Sequence, residues 1–184
     1  MRLRVHTVAA PLGLFLALAT AAPAEAQIGI GVGIRSSFIS EVQGLLTPTV
    51  YVPIVLTDRL MVEPEVGLIR ASEDDDGSDE TVTLLMIGAG LLFEIGDLGE
   101  DRIYAGPRLG LVRASFSEDF EGGEFSDSNT NLFLAGVLGG EFFLQPNFSL
   151  GGEAGLRYLD TGADGSDGSL LTTTAEFRVR WYFP

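Results

Sequence analysis

Several residue types are missing or nearly missing from this 184-residue sequence, and each absence excludes a kind of chemistry. Without cysteine, the chain can form no disulfide, thiolate metal site, cysteine nucleophile or lipid-modified N-terminal cysteine. The only histidine, His6, lies in an N-terminal segment that we expect to be removed. A Ser-His-Asp triad and a histidine-bearing metal site are therefore excluded from the mature chain. We expect no enzymatic activity and no cofactor.

Positive charge and long apolar runs are also scarce. The formal net charge is -15, and residues 27–184 keep nine arginines against twenty-five acidic residues, without a lysine. Such a balance disfavours nucleic acid as a partner. After the N-terminus, the longest apolar segment, from Thr81 to Phe93, has only 13 residues before Glu94 and is too short for a spanning helix. If residues 27–184 cross a membrane, they must do so as strands of a closed barrel.

The N-terminus has the pattern of a secretory signal. Arg2 and Arg4 precede an uncharged, mostly apolar run, which ends in the A-x-A motif Ala24-Glu25-Ala26 before Gln27. We predict that residues 1–26 are a signal peptide cleaved between Ala26 and Gln27, and that residues 27–184 form one domain. The alternative is a retained N-terminal membrane anchor. It is disfavoured because the apolar run is short and interrupted by prolines.

The rest of the chain alternates with the period of a β-strand. From Ala175 to the C-terminus, one face is apolar and ends in Trp181 and Phe183, while the other carries Glu176, Arg178 and Arg180. Seven earlier segments repeat this pattern with glycine, glutamate or arginine on the polar face. The eight predicted strands cover residues 28–38, 47–56, 60–70, 81–93, 103–114, 131–144, 148–158 and 170–183. Prolines 48, 53 and 64 count against this prediction, because each removes a donor from the ladder.

The connections between predicted strands also alternate in length. Compact turns follow the second, fourth and sixth strands. Long acidic loops are predicted after the third, fifth and seventh strands, at residues 71–80, 115–130 and 159–169. Short turns at one end and long polar loops at the other are typical of an outer-membrane barrel with both termini in the periplasm. We therefore predict an all-β protein, an eight-stranded antiparallel up-and-down transmembrane β-barrel.

The inner face of this barrel would carry equal numbers of opposite charges. The predicted lumen network consists of Glu63, Glu65, Glu141, Glu153 and Glu176 with Arg35, Arg108, Arg157, Arg178 and Arg180. Charges enclosed in a low-dielectric space are generally paired, so we expect these side chains to neutralise one another. The alternative is that Glu63 and Glu65, two residues apart on one face, perform acid-base chemistry.

The acidic segment Asp74, Asp75 and Asp76 resembles part of a calcium loop. Asp74, Asp76 and Gly77 match EF-hand positions three, five and six, but Ser72 and Thr83 stand where the first and last ligands belong. We therefore predict no metal site there and interpret the segment as a solvated loop. A weak divalent-cation site at the three aspartates is the alternative.

The strand-turn-strand segment EFFLQPNFSLGGEAGLRY at residues 141–158, the eight strands, the secretory signal and the aromatic end together resemble the small outer-membrane β-barrels of the OmpA and OmpX type. The resemblance covers the whole mature chain. It implies a protein of the bacterial outer membrane, a monomer in contact with lipid and lipopolysaccharide. It also implies assembly by the barrel-assembly machinery, which reads a C-terminal aromatic signal, here Trp181 and Phe183. In this sequence Pro184 follows Phe183, a departure from the usual aromatic end.

We expect a structural or surface-interaction role, because fold alone does not determine activity. Two alternatives remain open. A narrow porin-like channel is disfavoured, because side chains fill the interior of an eight-stranded barrel. A soluble periplasmic barrel of the lipocalin type would bind an apolar ligand and would need the apolar faces inside.

Overall fold

A computed structural model of the protein describes residues 4–5, 27–37, 46–75, 78–99, 101–120, 123–160 and 168–184. Ala24 and Ala26 lie outside these residues, so cleavage before Gln27 stays a prediction. Asp76 also lies outside them, as do residues 40–45 of the short connection predicted near residues 40–46, between the first two strands.

The described chain consists of β-strands joined by turns. The strands are β1 (Arg4–Val5), β2 (Gln27–Ser37), β3 (Leu46–Tyr51), β4 (Ile54–Thr57), β5 (Leu60–Asp75), β6 (Ser78–Leu98), β7 (Asp101–Phe120), β8 (Gly123–Gln145), β9 (Phe148–Asp160) and β10 (Ser169–Tyr182). Within these residues, no helix is long and apolar enough to cross a membrane.

The strands close into a barrel. From β5 to β10 each strand pairs antiparallel with the next in the sequence, and β10 pairs with β2 to close the sheet. Both β3 and β4 bridge β2 and β5, so together they form the second predicted strand. Two residues of β1 pair with residues 71–72 of β5 and take no part in closure. The described ranges thus confirm an eight-stranded antiparallel up-and-down barrel.

The second strand is interrupted at Val52 and Pro53, where the sequence predicted a continuous strand. The backbone bonds continue across this break. The Val52 amide donates to the Pro64 carbonyl at 3.0 Å, and the Gly29 amide donates to the Pro53 carbonyl at 2.9 Å. Proline supplies an acceptor but no donor, so the barrel uses these prolines as acceptors and loses a short stretch of regular ladder.

The prediction of long loops at residues 71–80 and 115–130 was wrong. Cross-strand pairing continues to Asp75 and Ser78 in the β5–β6 hairpin and to Phe120 and Gly123 in the β7–β8 hairpin. The polar sequence gave the impression of loops, but a ladder uses only backbone groups and does not require an apolar face. Residues 161–167 of the third predicted loop lie outside the described residues.

The two faces of the barrel agree with the prediction. The exposed outer positions include Ile30, Val32, Ile87, Leu91, Leu109, Leu134, Leu138, Phe142, Leu156, Phe177 and Trp181. Three positions near the break in the second strand, Val52, Ile54 and Val66, are only 7% exposed. The register still places Ile54 and Val66 on the outer face, opposite Ile28 and Val50. By register, the outward positions of the second strand are therefore apolar like those of the other strands.

The short-turn end is irregular and ties down the C-terminus. Bulges or register shifts occur near this end in the β4–β5, β6–β7 and β8–β9 pairs. Gly99 turns the chain with a φ of 92°, a conformation that favours glycine. The Tyr182 amide donates to the Asn147 carbonyl and the Phe183 amide to the Ile28 carbonyl, both at 2.8 Å. These bonds hold the last strand in register with both neighbours.

The buried charge network and the hairpin end of the lumen

Glycines on the inner face of β2 make room for the side chains that fill the lumen. A Cβ atom added to Gly31 would overlap the Tyr51 ring and lie 2.9 Å from Arg180 Cγ. One added to Gly33 would lie 2.7 Å from a Glu176 carboxylate oxygen. The run of alternating glycines is therefore a packing feature and not a phosphate-binding loop.

Arg178 on β10 lies at the centre of the network. It donates hydrogen bonds to Glu63 at 2.9 Å, to Glu153 at 2.8 Å and to Glu176 at 2.8 Å. Its guanidinium also donates to the Tyr104 hydroxyl at 3.3 Å. One arginine thus joins carboxylates from three strands.

Arg108 on β7 bonds to carboxylates on β5 and β9. Its Nε and Nη2 atoms donate to the two oxygens of Glu153 at 2.9 and 2.7 Å, which is the bidentate geometry typical of arginine and carboxylate. The same guanidinium bonds to Glu63 at 2.5 Å and to Glu65 at 3.2 Å. Glu63 therefore accepts from both Arg108 and Arg178.

Arg35 and Arg180 extend the network towards the two ends of the lumen. Arg35 on β2 lies 2.6 Å from Glu65 and 2.7 Å from Glu176. Arg180 pairs with Glu63 and with Glu141, and the Tyr182 hydroxyl donates to Glu141 at 2.8 Å. The network therefore includes side chains from β2, β5, β7, β8, β9 and β10.

Aromatic rings support the charged groups. The Arg178 and Arg180 guanidinium carbons lie 4.9 and 5.5 Å from the centre of the Tyr51 ring. Arg180 also lies 5.4 Å from the centre of the Tyr104 ring. The electron-rich faces of these rings attract cations, so they stabilise charge where water is absent.

Nine of the ten predicted lumen charges are thus joined by ion pairs, and all nine are buried. Arg157 is placed differently. It forms no ion pair with any described residue, and its guanidinium stacks 4.6 Å from the centre of the Phe133 ring. Arg157 lies two inward residues beyond Glu153 on β9 and is therefore nearer the hairpin end of the lumen. The ten predicted charges are equal in number, five of each sign, but Arg157 is not part of the network.

The paired carboxylates Glu63 and Glu65 are unsuited to acid-base chemistry. Glu63 accepts from three arginines and Glu65 from two, and both are at most 1% exposed. A general acid or base must reach a substrate proton, and these groups are enclosed by their partners.

The remaining predicted sites lie elsewhere. Trp181 and Phe183 are exposed near the short-turn end, and the Trp181 ring lies 6.0 Å from that of Phe148. Asp74 and Asp75 fall in the β5 strand, and Asp74 pairs by register with Asp79. Among the side chains that the structure describes, no group of three or more His, Cys, Asp or Glu could hold a metal ion.

We call the band of exposed apolar residues around the barrel the membrane belt. In the strands that extend beyond this belt, polar residues take the outward positions. In the β5–β8 hairpins, outward positions carry Arg70, Thr83, Arg113, Ser115 and Ser128, and Arg113 donates to the Ser128 hydroxyl at 3.5 Å. The inward positions are apolar on β5, β6 and β7 as far as Ala71, Val82 and Phe116, whereas β8 carries Asn129 and Asn131 there. We call the inner surface formed by Ile69, Val82, Leu84, Phe116, Leu159 and Leu170 the hairpin cup.

Sequence reasoning missed the lumenal tyrosines as partners of the network, and it missed the hairpin cup. The alternation puts Tyr51 and Tyr104 on the inward face, yet nothing in their spacing shows which arginine each would meet. The cup had a signal, because at Leu84-Leu85 the apolar residues change from one parity to the other. Two successive apolar residues within an alternating strand mark the level at which the faces exchange.

These features define a class: an outward apolar belt around a closed barrel with a charged, packed interior is an outer-membrane β-barrel. The sequence matches the outer membrane protein beta-barrel domain over residues 7–183, and the chain belongs to that family. The protein is therefore an outer-membrane protein of a Gram-negative-type envelope. No curated protein matches the sequence.

Solved structures share the fold at low sequence identity. Ail, the attachment invasion locus protein of Yersinia pestis, is 17% identical with a TM-score of 0.55, over 86% of this chain and 97% of that one. Neisserial surface protein A is 21% identical with a TM-score of 0.52, over 86% and 96%. A major outer membrane protein from Thermus thermophilus is 15% identical with a TM-score of 0.54, over 86% and 100%. At these identities the likeness concerns the fold alone.

Proposed function

We propose that the protein is a non-catalytic surface barrel whose lumen is sealed by the buried network, with a structural or surface-interaction role in the outer membrane. The observation that supports this proposal is the set of ion pairs from Arg35, Arg108, Arg178 and Arg180, which joins six strands across the lumen. An eight-stranded barrel has an interior that side chains can fill, so little space is left for permeation.

The mature protein begins at Gln27 and works as a monomer. Its termini and short turns face the periplasm, and its long hairpins face outward, where they meet lipopolysaccharide. During biogenesis the barrel-assembly machinery reads Trp181 and Phe183. Mass spectrometry of the exported protein tests the first statement, and a mature N-terminus far from Gln27 would contradict it.

Planar-bilayer recording tests the sealed lumen. We expect the unmodified protein to show no stable conductance, because a charged network without open space passes no hydrated ions. Arg178→Ala removes the central arginine and is expected to produce conductance. Arg113→Ala, on the exposed outer face of a hairpin, is the control and should remain silent.

A narrow channel is the second candidate. Stable conductance of the unmodified protein would support it and would overturn the sealed lumen. The soluble lipocalin-like alternative was wrong, because the outer face is apolar and the inner face holds the charges, as an outer-membrane barrel requires.

A further inference from the structure

On the hairpin side of the charge network, apolar side chains form one wall of the lumen. Ile69 pairs by register with Leu84, Val82 with Phe116, and Leu159 with Leu170, and alternation places all of them on the inner face. None of these side chains is fully buried, and Val82 is 46% exposed. A ligand entering from the hairpin end could therefore reach this surface.

A single buried cation lies at the base of the hairpin cup. Arg157 is 9% exposed, and its Nε atom has no hydrogen-bond partner among the described residues. The four arginines of the network each pair with two or more carboxylates, whereas Arg157 pairs with no carboxylate that the structure describes. A guanidinium carries five donors, and an enclosed charge without a counter-charge is costly. The base of the cup is thus complementary to an anion.

The rim of the cup has the opposite charge. Glu80 and Glu118 lie on the inner face by the same register, one inward position beyond Val82 and Phe116. Asp127 lies opposite Phe116, at the level of the cup, and Asn129 and Asn131 are the inward residues between it and Phe133 on β8. A negative group would be repelled at the rim and attracted at the base, and the inward side chains of β5, β6 and β7 between the two are apolar.

We propose that the hairpin cup binds a single-chain amphiphile with an anionic head group, with the head on Arg157 and the chain along the apolar wall. Arg157 supplies the charge-assisted hydrogen bonds, and the cup residues bury the chain. This binding role goes beyond the sealed barrel, because the cup lies on the hairpin side of the network and does not require the lumen to conduct.

Methyl-labelled protein in lipid nanodiscs provides the test. Octanoate and octylammonium, which share a chain length and differ in charge, are titrated separately while the methyl resonances are followed by NMR. We expect octanoate to shift the methyl signals of Val82, Leu84 and Leu159 in a saturable way. Arg157→Gln should weaken octanoate binding about tenfold or more, as expected for hydrogen bonds to a charged group. Arg113→Gln, which removes an exposed arginine from the outer face, should leave the affinity unchanged.

Three results would overturn the proposal. Octylammonium could shift the same inner methyls as strongly as octanoate, a comparison that uses the unmodified protein and needs no variant. Octanoate could affect only the outward methyls of Leu111 and Leu132, which would show partition into the lipid around the belt. The affinity could also be equal in Arg157→Gln and in the unmodified protein. None of these results depends on whether the lumen conducts, so a failure here is distinct from a failure of the sealed-barrel proposal.

Discussion

The membrane belt and the long hairpins are continuous in the same strands, yet their faces have opposite character. In β5, Val62 and Val66 face outward in the belt and Glu63 and Glu65 face inward. A few residues further along the same strand, Arg70 is outward and Ile69 is inward. The register does not slip between Glu63 and Asp75, so the change comes from the sequence alone.

This difference shows that alternation determines the two faces of a strand but not which face meets which environment. In the belt the outer face contacts hydrocarbon, and the charged face is enclosed with its partners. Beyond the belt the outer face contacts water, so polar residues occupy it, and the inner face is free to be apolar. The level of the membrane boundary can therefore be located from the parity of the apolar residues.

The largest expected effect comes from breaking the charged interior of the belt. Arg178→Ala leaves the carboxylates of Glu63, Glu153 and Glu176 without their central partner. We expect a loss of about 3–5 kcal/mol in the free energy of unfolding, because a buried ion pair that loses one member leaves charge uncompensated. Urea titration of the barrel in liposomes, followed by gel mobility of unboiled samples, measures it.

The matched control is Arg113→Ala on the outer face of the β7–β8 hairpin, where the side chain is exposed. An exposed arginine away from special features is expected to change stability by about 0.5 kcal/mol or less. Equal losses in the two variants would mean that the interior charges do not hold the barrel together.

The next effect concerns the lipid-facing side of the belt. Val179 faces outward on β10, so Val179→Arg should cost about 2–4 kcal/mol near the membrane midplane. Thr174→Ser on the inward face of the same strand should cost much less. The same urea titration compares them, and equal costs would show that the faces have been assigned the wrong way round.

An arginine introduced outside the belt tests where the membrane boundary lies. Thr83→Arg adds a cation to an outward position in the hairpin, where Arg70 lies opposite it in the β5–β6 register. The surroundings there are aqueous and the only penalty is the like charge of Arg70, so we expect a cost of about 1 kcal/mol or less. A cost as large as that of Val179→Arg would place Thr83 in lipid and move the boundary outward.

Much of the fold could be predicted, because the requirements of a barrel are local. The period of two, the short turn at Gln145 to Phe148 and the inward position of residues such as Glu153 and Arg178 all follow from neighbouring residues in the sequence. The break at Val52 and Pro53 was harder to predict, because it depends on backbone hydrogen bonds to Pro64 and Gly29 on the two adjacent strands.

The individual ion pairs could not be predicted, because they depend on register and on contacts across the lumen. Arg35 meets Glu65 and Glu176, which are 30 and 141 residues away in the sequence. Counting charges gave a balanced interior, but it could not show that Arg157 stacks on Phe133 apart from the carboxylates. The extended hairpins were missed for a related reason, since an acidic composition does not prevent strand pairing.

The last expected effect, also small, is in the acidic tips of the hairpins, the region most unlike the belt. The backbone register aligns Asp74, Asp79, Asp119 and Glu124 across four adjacent strands, which lie about 4.8 Å apart. Like charges directly opposite one another destabilise a sheet, and hard divalent cations prefer several carboxylate oxygens. For the weak divalent-cation site that the sequence leaves as an alternative, a dissociation constant of about 1 mM, typical of weak extracellular sites, would let 5 mM calcium stabilise the barrel by about 1 kcal/mol. Calorimetry on the refolded barrel measures the binding. Replacing Asp74, Asp75 and Asp76 by asparagine should reduce the heat of binding and the stabilisation together, since a neutral amide is a weaker ligand for calcium. If calcium releases no heat at millimolar concentration, or the asparagine variant binds it equally well, the tips are only a solvated acidic surface, and repulsion there is relieved by water and not by a bound ion.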